Sequence, residues 1–399
     1  MTAFVRVADL ADQIRGVTYA KEDATSSPRP GYLPVLRAGN ISDNGLVFDD
    51  LVFVPAERIA PTQKIRRNDV LIAASSGSLD VVGKAARALA DFDGGFGAFC
   101  KVLRPGPGID PAYFAHFFRT REYRQRVSAL AAGANINNLR NEHLDEFRIP
   151  LLPLPEQRRI AEILDKADAL RAKRRTAIAQ LDTLTQSIFL DMFGDPIANL
   201  RSWPMMKLAA LGSLDRGVSR HRPRNAPELL GGPYPFVQTG DVANCGGYVR
   251  AYSASYSEAG LRQSRMWPAG TLCITIAANI AKTGILTFDA CFPDSVVGFR
   301  SGEPSTVEFV RCWLSFLQAS LEDKAPVSAQ KNINLEILRD LNVPTPEVPM
   351  RMEFVRRIET VESLKRRESK ALDELDALFA TLQHSVFRSD LVRDETASL

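Results

Sequence analysis

Residues 149–191 read IPLLPLPEQRRIAEILDKADALRAKRRTAIAQLDTLTQSIFLD. From about Glu156 to Asp191, apolar residues recur every three or four positions, with charged residues between them and no Gly or Pro. This pattern predicts an amphipathic helix of coiled-coil type, about 50 Å long at roughly 1.5 Å per residue. Prolines 150, 153 and 155 end whatever element precedes it. The predicted apolar face consists of Ile160, Ile163, Leu164, Ala167, Leu170, Ile178, Leu181, Leu184 and Ile188.

The same design returns near the other end of the chain, from about residue 350 to residue 388. Pro344 and Pro349 lie 194 positions after Pro150 and Pro155, and the apolar pattern continues at that spacing. An apolar helix face must be covered, and the cheapest partner is the other copy, packed antiparallel. The alternative is that each helix covers only its own domain.

A second repeat lies outside the predicted helices. The motif RGVT at 15–18 returns as RGVS at 216–219, a spacing of 201, and PVL at 34–36 returns as PFV at 235–237. A period this long indicates a duplicated domain, because solenoid repeats are much shorter. Further matches are expected between Gly83 and Gly284, and between 135–137 and 332–334.

The segments between the helices are expected to be mixed α/β (α+β) domains. Short apolar runs around Val70 and Ile274 predict buried strands, and aromatic-rich stretches at 113–130 and 307–321 each predict a helix that packs in the core. The expected fold class is therefore two similar α/β domains separated by two long antiparallel helices, with pseudo-two-fold symmetry. The predicted divisions are a first domain at 1–150, the central helix at 151–194, a second domain at 195–345 and the C-terminal helix at 346–390.

The composition is that of an ordinary soluble protein: 399 residues, 45% hydrophobic and 24% charged. A net charge of +3 permits nucleic-acid binding without demanding it. No segment approaches the roughly 20 apolar residues of a membrane span, and the chain lacks a secretory signal, so a cytoplasmic location is expected. Five cysteines without a C-x-x-C pair favour neither a disulfide framework nor a zinc site.

The search for catalytic motifs finds none that is complete. The stretch from Gly77 to Lys84 resembles a phosphate-binding loop, but Ala85 replaces the hydroxyl residue that would bind magnesium. Nucleophile-elbow and H-E-x-x-H motifs are absent, and the four histidines are scattered. The expectation is a non-catalytic chain without a cofactor or metal that positions other subunits; an intrinsic nuclease is a remote alternative.

Three pairs of polar loops could read DNA. Base edges are matched by Arg, Lys, Asn and Gln on protruding loops, whereas phosphates need cations and backbone amides. The framework around these loops repeats while the loop residues differ, as two readers of different half-sequences require. The alternative is that each polar loop is only a turn and has no role in binding. The loop pairs are 37–40 with 238–241, 75–84 with 277–282, and 135–140 with 330–334.

A basic run at 220–224 is a further candidate for contacting phosphates. With the three loop pairs it completes the predicted DNA-binding set. That set is Arg37, Asn40, Ser75, Ser76, Lys84, Asn135, Asn137, Arg140, Arg220, Arg222, Gln238, Thr239, Asn279, Lys282, Lys331, Asn332 and Asn334.

Together these features resemble the specificity subunit of a type I restriction-modification system, over essentially the whole chain. The most specific part is the proline-rich start of the first long helix at 149–160, and residues 15–19 with 36–41 resemble the start of a target recognition domain in that family. The second helix start at 344–350 departs from the pattern because it lacks the Glu-Gln pair.

The resemblance implies a subunit that binds double-stranded DNA without catalysing a reaction. Its two target recognition domains would each read half of a bipartite, asymmetric sequence. The helices would dock two DNA-methyltransferase (modification) subunits, and restriction subunits would join the complex. Partner contacts are expected at Glu156, Gln157 and Arg158. The alternative function is a two-headed scaffold whose domains bind proteins rather than DNA.

Overall fold

The computed structural model describes residues 3–132, 138–221, 223, 226–277, 280–324 and 333–388. The chain forms two compact units. The first unit comprises Met1–Ala177 together with Glu368–Leu399, and the second comprises Ile178–Arg367. The division between the units therefore falls inside both long helices.

The first unit is a mixed α/β assembly. Its strands are β1 (Ala3–Arg6), β2 (Ala11–Arg15), β3 (Tyr32–Leu36), β4 (Ile41–Ser42), β5 (Gly45–Leu46), β6 (Val52–Pro55), β7 (Val70–Ala73), β8 (Ala85–Arg87), β9 (Gly95–Phe96), β10 (Cys100–Pro105) and β11 (Arg148–Leu151). Its helices are α1 (Pro111–Phe117), α2 (Arg121–Ala132), α3 (Asn141–Asp145) and the first part of α4 (Leu154–Phe193).

The second unit is also a mixed α/β assembly. Its strands are β12 (Met205–Lys207), β13 (Ser213–Arg216), β14 (Leu230–Phe236), β15 (Gly247–Val249), β16 (Ala254–Tyr256), β17 (Met266–Trp267), β18 (Leu272–Thr275), β19 (Thr283–Leu286), β20 (Ala290–Cys291), β21 (Val296–Arg300) and β22 (Asn342–Pro344). Its helices are α5 (Leu208–Leu211), α6 (Thr239–Ala243), α7 (Glu258–Arg262), α8 (Pro304–Lys324), α9 (Leu335–Asp340) and the first part of α10 (Val348–Phe387).

The sheets of the two units share one topology. The order β2-β10-β7-β8 in the first unit returns as β13-β21-β18-β19 in the second, where β15 is added at the edge. Likewise β6-β3-β9 returns as β16-β14-β20, where β17 is added at the edge, and the pair β1-β11 returns as β12-β22. The predicted domain duplication and the mixed α/β class are confirmed.

In each unit, one hydrophobic cluster joins aromatic residues of the sheet domain to residues of both long helices. In the first unit, Tyr113 and Phe117 of α1 pack against Phe387 of α10, with the Tyr113 and Phe387 ring centroids 4.8 Å apart. In the second unit, Phe189 of α4 packs against Phe309 of α8, with centroids 5.2 Å apart. Burying such a side chain contributes about 2–3 kcal/mol, so each sheet domain is fixed to the helices largely by hydrophobic contact.

The long helices run antiparallel within each unit, as expected. In the first unit, Arg171 and Arg174 of α4 form ion pairs with Asp376 and Glu368 of α10 respectively, so rising numbers in one helix face falling numbers in the other. In the second unit, Asp182 pairs with Lys365, and Phe193 packs on Phe354 with ring centroids 5.3 Å apart. Both helices contain 40 residues.

Part of the predicted apolar face is not buried. Leu164 is almost completely buried, whereas Ile163, Leu170 and Leu184 are about half exposed. The apolar stripe is wider than the surface that one partner helix and one sheet domain cover. The prediction of one buried face from residue 160 to residue 188 is therefore wrong at these three positions.

The predicted helix at 113–130 is in fact two helices, α1 and α2. Thr120 separates them: its hydroxyl donates a hydrogen bond to the Phe117 carbonyl at 2.8 Å and accepts one from the Tyr123 amide at 3.2 Å. A threonine that bonds the backbone in this way caps a new helix start. The helix predicted at 307–321 lies within α8, as expected.

One of the predicted repeat matches needs correction. The Gly83 amide donates to the Ala73 carbonyl, and the equivalent bond in the second unit runs from the Ala281 amide to the Thr275 carbonyl, so Gly83 matches Ala281 rather than Gly284. The reason is a loop that is four residues shorter in the second unit, since Lys84 follows Ala73 by 11 positions and Lys282 follows Thr275 by 7.

In the predicted match of 135–137 with 332–334, residues 135–137 and 332 lie outside the described residues. The Leu139 amide donates to the Ala74 carbonyl at 2.7 Å, and the Ile333 amide donates to the Ile276 carbonyl at 3.0 Å. Leu139 and Ile333 are therefore equivalent.

Within the described residues, no helix combines the length and apolar character needed to cross a membrane.

Candidate nucleic-acid interface

The repeated RGV motif serves the framework of each unit. The Val17 amide donates to the Phe96 carbonyl at 2.7 Å, and the Val218 amide donates to the Phe292 carbonyl at 3.1 Å. A Cβ on Gly16 would lie 2.1 Å from the Gly97 carbonyl oxygen, and one on Gly217 would lie 2.3 Å from the Phe292 carbonyl oxygen. Glycine is required because two backbone segments meet there.

The first loop pair has one shared backbone shape and two different tips. The Asn40 carboxamide oxygen accepts from the Arg37 amide at 2.8 Å, and the Asp241 carboxylate accepts from the Gln238 amide at 2.8 Å. Arg37 and Gln238 therefore occupy the same place, and both leave a polar side chain at the surface. Thr239 follows Gln238 in the first turn of α6 and is half-buried.

Asn40 holds its loop rather than presenting a side chain. It is only 3% exposed, and its amide group donates to the carbonyls of Val47 at 3.0 Å and Asp49 at 2.8 Å. With the bond from the Arg37 amide, this pins the loop on both sides. The predicted DNA contact of Asn40 is replaced by this structural role.

The second loop pair meets a turn that precedes the central strand of each unit. In the first unit, the Phe99 carbonyl accepts from the Ala74 amide at 2.8 Å, and Ser75 follows. In the second unit, the Ser295 carbonyl accepts from the Ile276 amide at 3.0 Å, and Ala277 follows. Ser75 is thus matched by Ala277, and Phe99 by Ser295.

The structure brings the first two loops of the first unit into one groove. Arg37, Ser75 and Ser76 line it, as expected from the sequence, together with Tyr19 and Phe99, which sequence reasoning missed. Burial raises the pKa of Tyr19 above its ordinary value. The groove therefore combines the Arg37 guanidinium, the hydroxyls of the two serines and of Tyr19, and two aromatic rings, of which that of Phe99 is exposed.

The Arg37 guanidinium is held at the rim of this groove. One of its terminal nitrogens donates to the Asp50 carbonyl at 2.9 Å and to the Asp50 carboxylate at 2.8 Å. Both side chains are exposed, so this ion pair contributes little to stability but limits the directions in which the guanidinium can point. An arginine fixed in this way is suited to bidentate contacts with guanine.

Lys84 of the predicted set does not join this groove. Lys84 lines a different groove beside α2, where its ammonium lies 3.6 Å from the Asp43 carboxylate. Its counterpart Lys282 precedes β19 and is half-buried. The Lys282 backbone amide donates a hydrogen bond to the Thr275 hydroxyl at 3.1 Å.

The third loop pair is described only in part. Arg140 and Asn334 are equivalent, since each precedes a short helix, α3 or α9. The Arg140 side chain is exposed, whereas the Asn334 carboxamide caps α9 by accepting from the Ile337 amide at 2.8 Å. Asn135, Asn137, Lys331 and Asn332 lie outside the described residues.

The basic run in the second unit is also described in part. Arg220 is exposed, and its amide donates to the Gln263 carboxamide at 2.6 Å, which fixes the backbone of the loop. Arg222 lies outside the described residues, as does Asn279 of the second loop pair.

Two of the three predicted partner-binding residues are available at the start of α4. Glu156 and Arg158 are exposed. Gln157 is fully buried: its carboxamide donates to the Leu152 carbonyl at 2.7 Å and accepts from the Asp110 amide at 2.8 Å. The prediction for Gln157 is therefore wrong, because this side chain ties the start of α4 to the start of α1.

The loops of this surface carry several kinds of group that can bind a ligand. Among the residues described, no cluster of three or more His, Cys, Asp or Glu side chains could hold a metal ion. The loops offer hydrogen-bond donors and acceptors, cations and aromatic rings, on backbones that are fixed by repeated hydrogen bonds.

Comparisons with known proteins agree with this arrangement. The chain is 29% identical to the "Type I restriction enzyme EcoKI specificity subunit" of Escherichia coli K12 over 415 residues, which covers 96% of this chain and 88% of that protein. It is 44% identical over 180 residues to the "Type I restriction enzyme StySPI specificity subunit" of Salmonella potsdam, covering 45% of this chain and 38% of the relative.

Two solved structures share the fold. The S subunit of a type I restriction-modification system from M. genitalium matches with a TM-score of 0.59 at 17% identity, over 96% of both chains. A chain from a structure on the assembly and conformational transition of the type I R-M system matches with a TM-score of 0.53 at 19% identity, over 98% of both chains.

The family described as "Type I restriction modification DNA specificity domain" matches this chain twice, at residues 2–181 and 202–377. Each match contains one of the two sheet domains and part of one long helix. The two matches together span most of the chain, and the protein therefore belongs to the family of type I restriction-modification DNA specificity domains.

Proposed function

We propose that this chain gives a type I restriction-modification complex its DNA sequence specificity, and that each unit reads one half of a bipartite, asymmetric target. The observation that carries the proposal is a set of four equivalent positions with different side chains. Backbone hydrogen bonds and helix starts make these positions equivalent, so a change of side chain there changes the surface without changing the fold. The pairs are Arg37 with Gln238, Ser75 with Ala277, Phe99 with Ser295, and Arg140 with Asn334.

The proposed target recognition domains are residues 1–150 and 195–345, joined by the helical segments 151–194 and 346–390. Different chemistry at the same positions supports an asymmetric target. An arginine pairs best with guanine, whereas a glutamine pairs best with adenine. Two identical readers would instead recognise a repeated or palindromic sequence.

We further propose that the chain is not catalytic and that two methyltransferase subunits, with restriction subunits, supply the chemistry. The exposed leucines of the long helices support two docking sites. Leu170 and Leu364 lie at the same position of their helices, 194 residues apart, as do Leu184 and Leu378. All four are roughly 40–50% exposed, and each unit carries one leucine from each matched pair. Exposed Glu156 and Arg158 add a polar contact at the start of α4.

Domain exchange tests the proposal. Residues 1–150 are replaced by the corresponding domain of a family member with a different target, and modified adenines are mapped across the genome in cells with and without each gene. We expect the wild-type chain to produce one split motif with a fixed spacer. The exchange should alter one half of that motif and leave the spacer and the other half unchanged.

A matched exchange of residues 195–345 is the control and should alter the other half only. A continuous or palindromic wild-type motif would contradict two different readers. An exchange that leaves the motif unchanged would favour the scaffold alternative, in which these domains bind proteins.

A further inference from the structure

Phe99 is an exposed aromatic side chain on a rigid backbone. Its side chain is 70% exposed. Its carbonyl accepts two hydrogen bonds, from the Ala74 amide at 2.8 Å and from the Ser75 amide at 3.0 Å, and the Cys100 amide closes the turn by donating to the Gly97 carbonyl at 2.8 Å. The ring is therefore held outward by a backbone that has little freedom to retract it.

The equivalent turn in the second unit carries a different residue. The Val296 amide donates to the Pro293 carbonyl at 3.0 Å, which repeats the turn closed by Cys100, and Ser295 stands where Phe99 stands in the first unit. The turn itself thus has no need for an aromatic residue. The hydrophobic core does not need an aromatic residue there either, because the Phe99 ring is mostly exposed to solvent.

Exposure alone would mean little, since single exposed apolar side chains are common. Leu89 is exposed to a similar degree, 73%, yet it lies outside this groove and beside Asp165 and Ala169 of α4. Phe99 differs because it shares a groove with Arg37, Ser75 and Ser76. Those are the side chains that can form hydrogen bonds with base edges.

The chemistry of base edges narrows what the ring can contact. An arginine that reads guanine does so in the major groove, through O6 and N7. An apolar ring beside that arginine faces the same groove, where the 5-methyl group of thymine is the apolar feature of the four unmodified bases. Phenylalanine is one of the residues that pack on this methyl group.

We propose that Phe99 packs on the 5-methyl group of a thymine in the major groove of the half-site read by the first unit, and so selects thymine at that position. The inference rests on the proposed function, because it assumes that this groove faces DNA. Phe99 would thus determine specificity through an apolar contact rather than a hydrogen bond. The equivalent Ser295 lacks the apolar surface for this contact and offers a hydroxyl instead.

The test uses the chain assembled with its methyltransferase subunits and duplexes that carry the mapped target. Each thymine of the target is replaced in turn by deoxyuridine, which removes the methyl group and keeps every hydrogen-bonding group. We expect one replacement in the first unit's half-site to weaken binding by wild-type complex about three- to fivefold, the effect of losing one buried methyl contact. Phe99→Ala should bind the thymine and deoxyuridine duplexes equally well at that position.

Two further variants keep the test decisive. Leu89→Ala removes an equally exposed side chain outside the groove and should keep the wild-type preference for thymine. Phe99→Leu keeps an apolar side chain and should keep part of the preference. Thermal unfolding of each complex should match the wild type, because these side chains contribute little to the core.

The outcomes separate the two proposals. Binding that ignores the mapped motif would overturn the proposed function. Sequence-specific binding in which deoxyuridine costs Phe99→Ala as much as the wild type would overturn the Phe99 assignment alone. So would a first half-site without thymine, or a wild-type complex indifferent to every replacement in that half-site.

Discussion

At positions that equivalent backbone hydrogen bonds match between the two units, the buried side chains differ in charge. Asp69 and Thr271 are equivalent, since the Ala88 amide donates to the Asp69 carbonyl at 2.8 Å and the Leu286 amide donates to the Thr271 carbonyl at 2.9 Å. Lys101 and Val297 are equivalent as well, because they pair with Arg15 and Arg216 of the matching edge strands. All four are buried.

This difference teaches that the duplication constrains the backbone more tightly than the polarity of its interior. The first unit contains ionic groups at two sites where the second unit is neutral. Divergence between the units is therefore not confined to the loops that we propose to read DNA. Substitutions at the equivalent positions can break or sharpen this comparison.

The largest effect is expected at Asp69. Its carboxylate is only 1% exposed and forms two bonds with the Arg104 guanidinium, at 2.8 and 2.7 Å. Asp69→Asn leaves Arg104 without its counter-charge, which should destabilise the first unit by roughly 3–5 kcal/mol. Thr271→Val removes only the hydroxyl bond to the Pro268 carbonyl, 2.7 Å long, and should cost the second unit about 1 kcal/mol.

Urea unfolding would measure both losses, and hydrogen exchange resolved by peptide would assign each loss to its unit. Equal costs for the two variants would show that the buried charge in the first unit is no more demanding than the hydroxyl in the second.

A smaller, pH-dependent effect is expected at Lys101. Burial lowers the pKa of this lysine to about 8, despite the nearby carboxylates of Glu142 and Asp145. Between about pH 8 and 10.4 the unfolded chain holds the proton that the folded chain has lost, so this group makes stability rise with pH in that window. Below about pH 8 both states are protonated and the lysine is a constant cost.

Lys101→Val gives the first unit the residue of the second. We expect the variant to be more stable than the wild type by about 2 kcal/mol at pH 7, and this advantage should shrink between pH 8 and 10.4. Urea unfolding across that range measures it. Lys166→Ala removes an exposed lysine and should show no such pH dependence; an identical profile for both variants would remove Lys101 as the cause.

The smallest effects are expected at Arg140 and Asn334, which start equivalent helices. If the exposed Arg140 contacts a phosphate, Arg140→Ala should weaken DNA binding similarly for all sequences and reduce the slope of log affinity against log salt by about 1. Asn334→Ala removes a helix cap and should cost about 1 kcal/mol of stability in the second unit without changing the slope. Binding titrations from 50 to about 200 mM salt would distinguish the two roles, and unchanged slopes for both variants would count against a phosphate contact at Arg140.

The sequence was a good guide wherever local pattern determines structure. The periodicity at 156–191 predicted α4 within two residues at each end, and the RGV motif marked a true repeat because Gly16 and Gly217 are each required by a backbone contact. Helix periodicity and close-approach glycines depend on a few neighbouring residues, so a single sequence displays them.

What the sequence could not show depends on distant partners. In the sequence, Gln157 looks like an ordinary polar helix residue. In the structure it is buried, and its carboxamide accepts a hydrogen bond from the backbone amide of Asp110, which is distant in sequence. Phe99 carries no signal of its own in the sequence, because its proposed role depends on the groove that it shares with Arg37 and on its equivalence with Ser295. The loop register between Ala73 and Lys84 likewise required the strand hydrogen bonds.

The division of the chain has a consequence for protein synthesis. The second unit is one uninterrupted segment, Ile178–Arg367, whereas the first unit also needs the part of α10 that begins at Glu368 and brings Phe387 against Tyr113. When Arg367 has just emerged from the ribosome, every residue of the second unit is therefore available for folding. The first unit still lacks the part of its core that α10 contributes. Because domains fold as their residues emerge, the unit that is translated first is the one that can be completed only last.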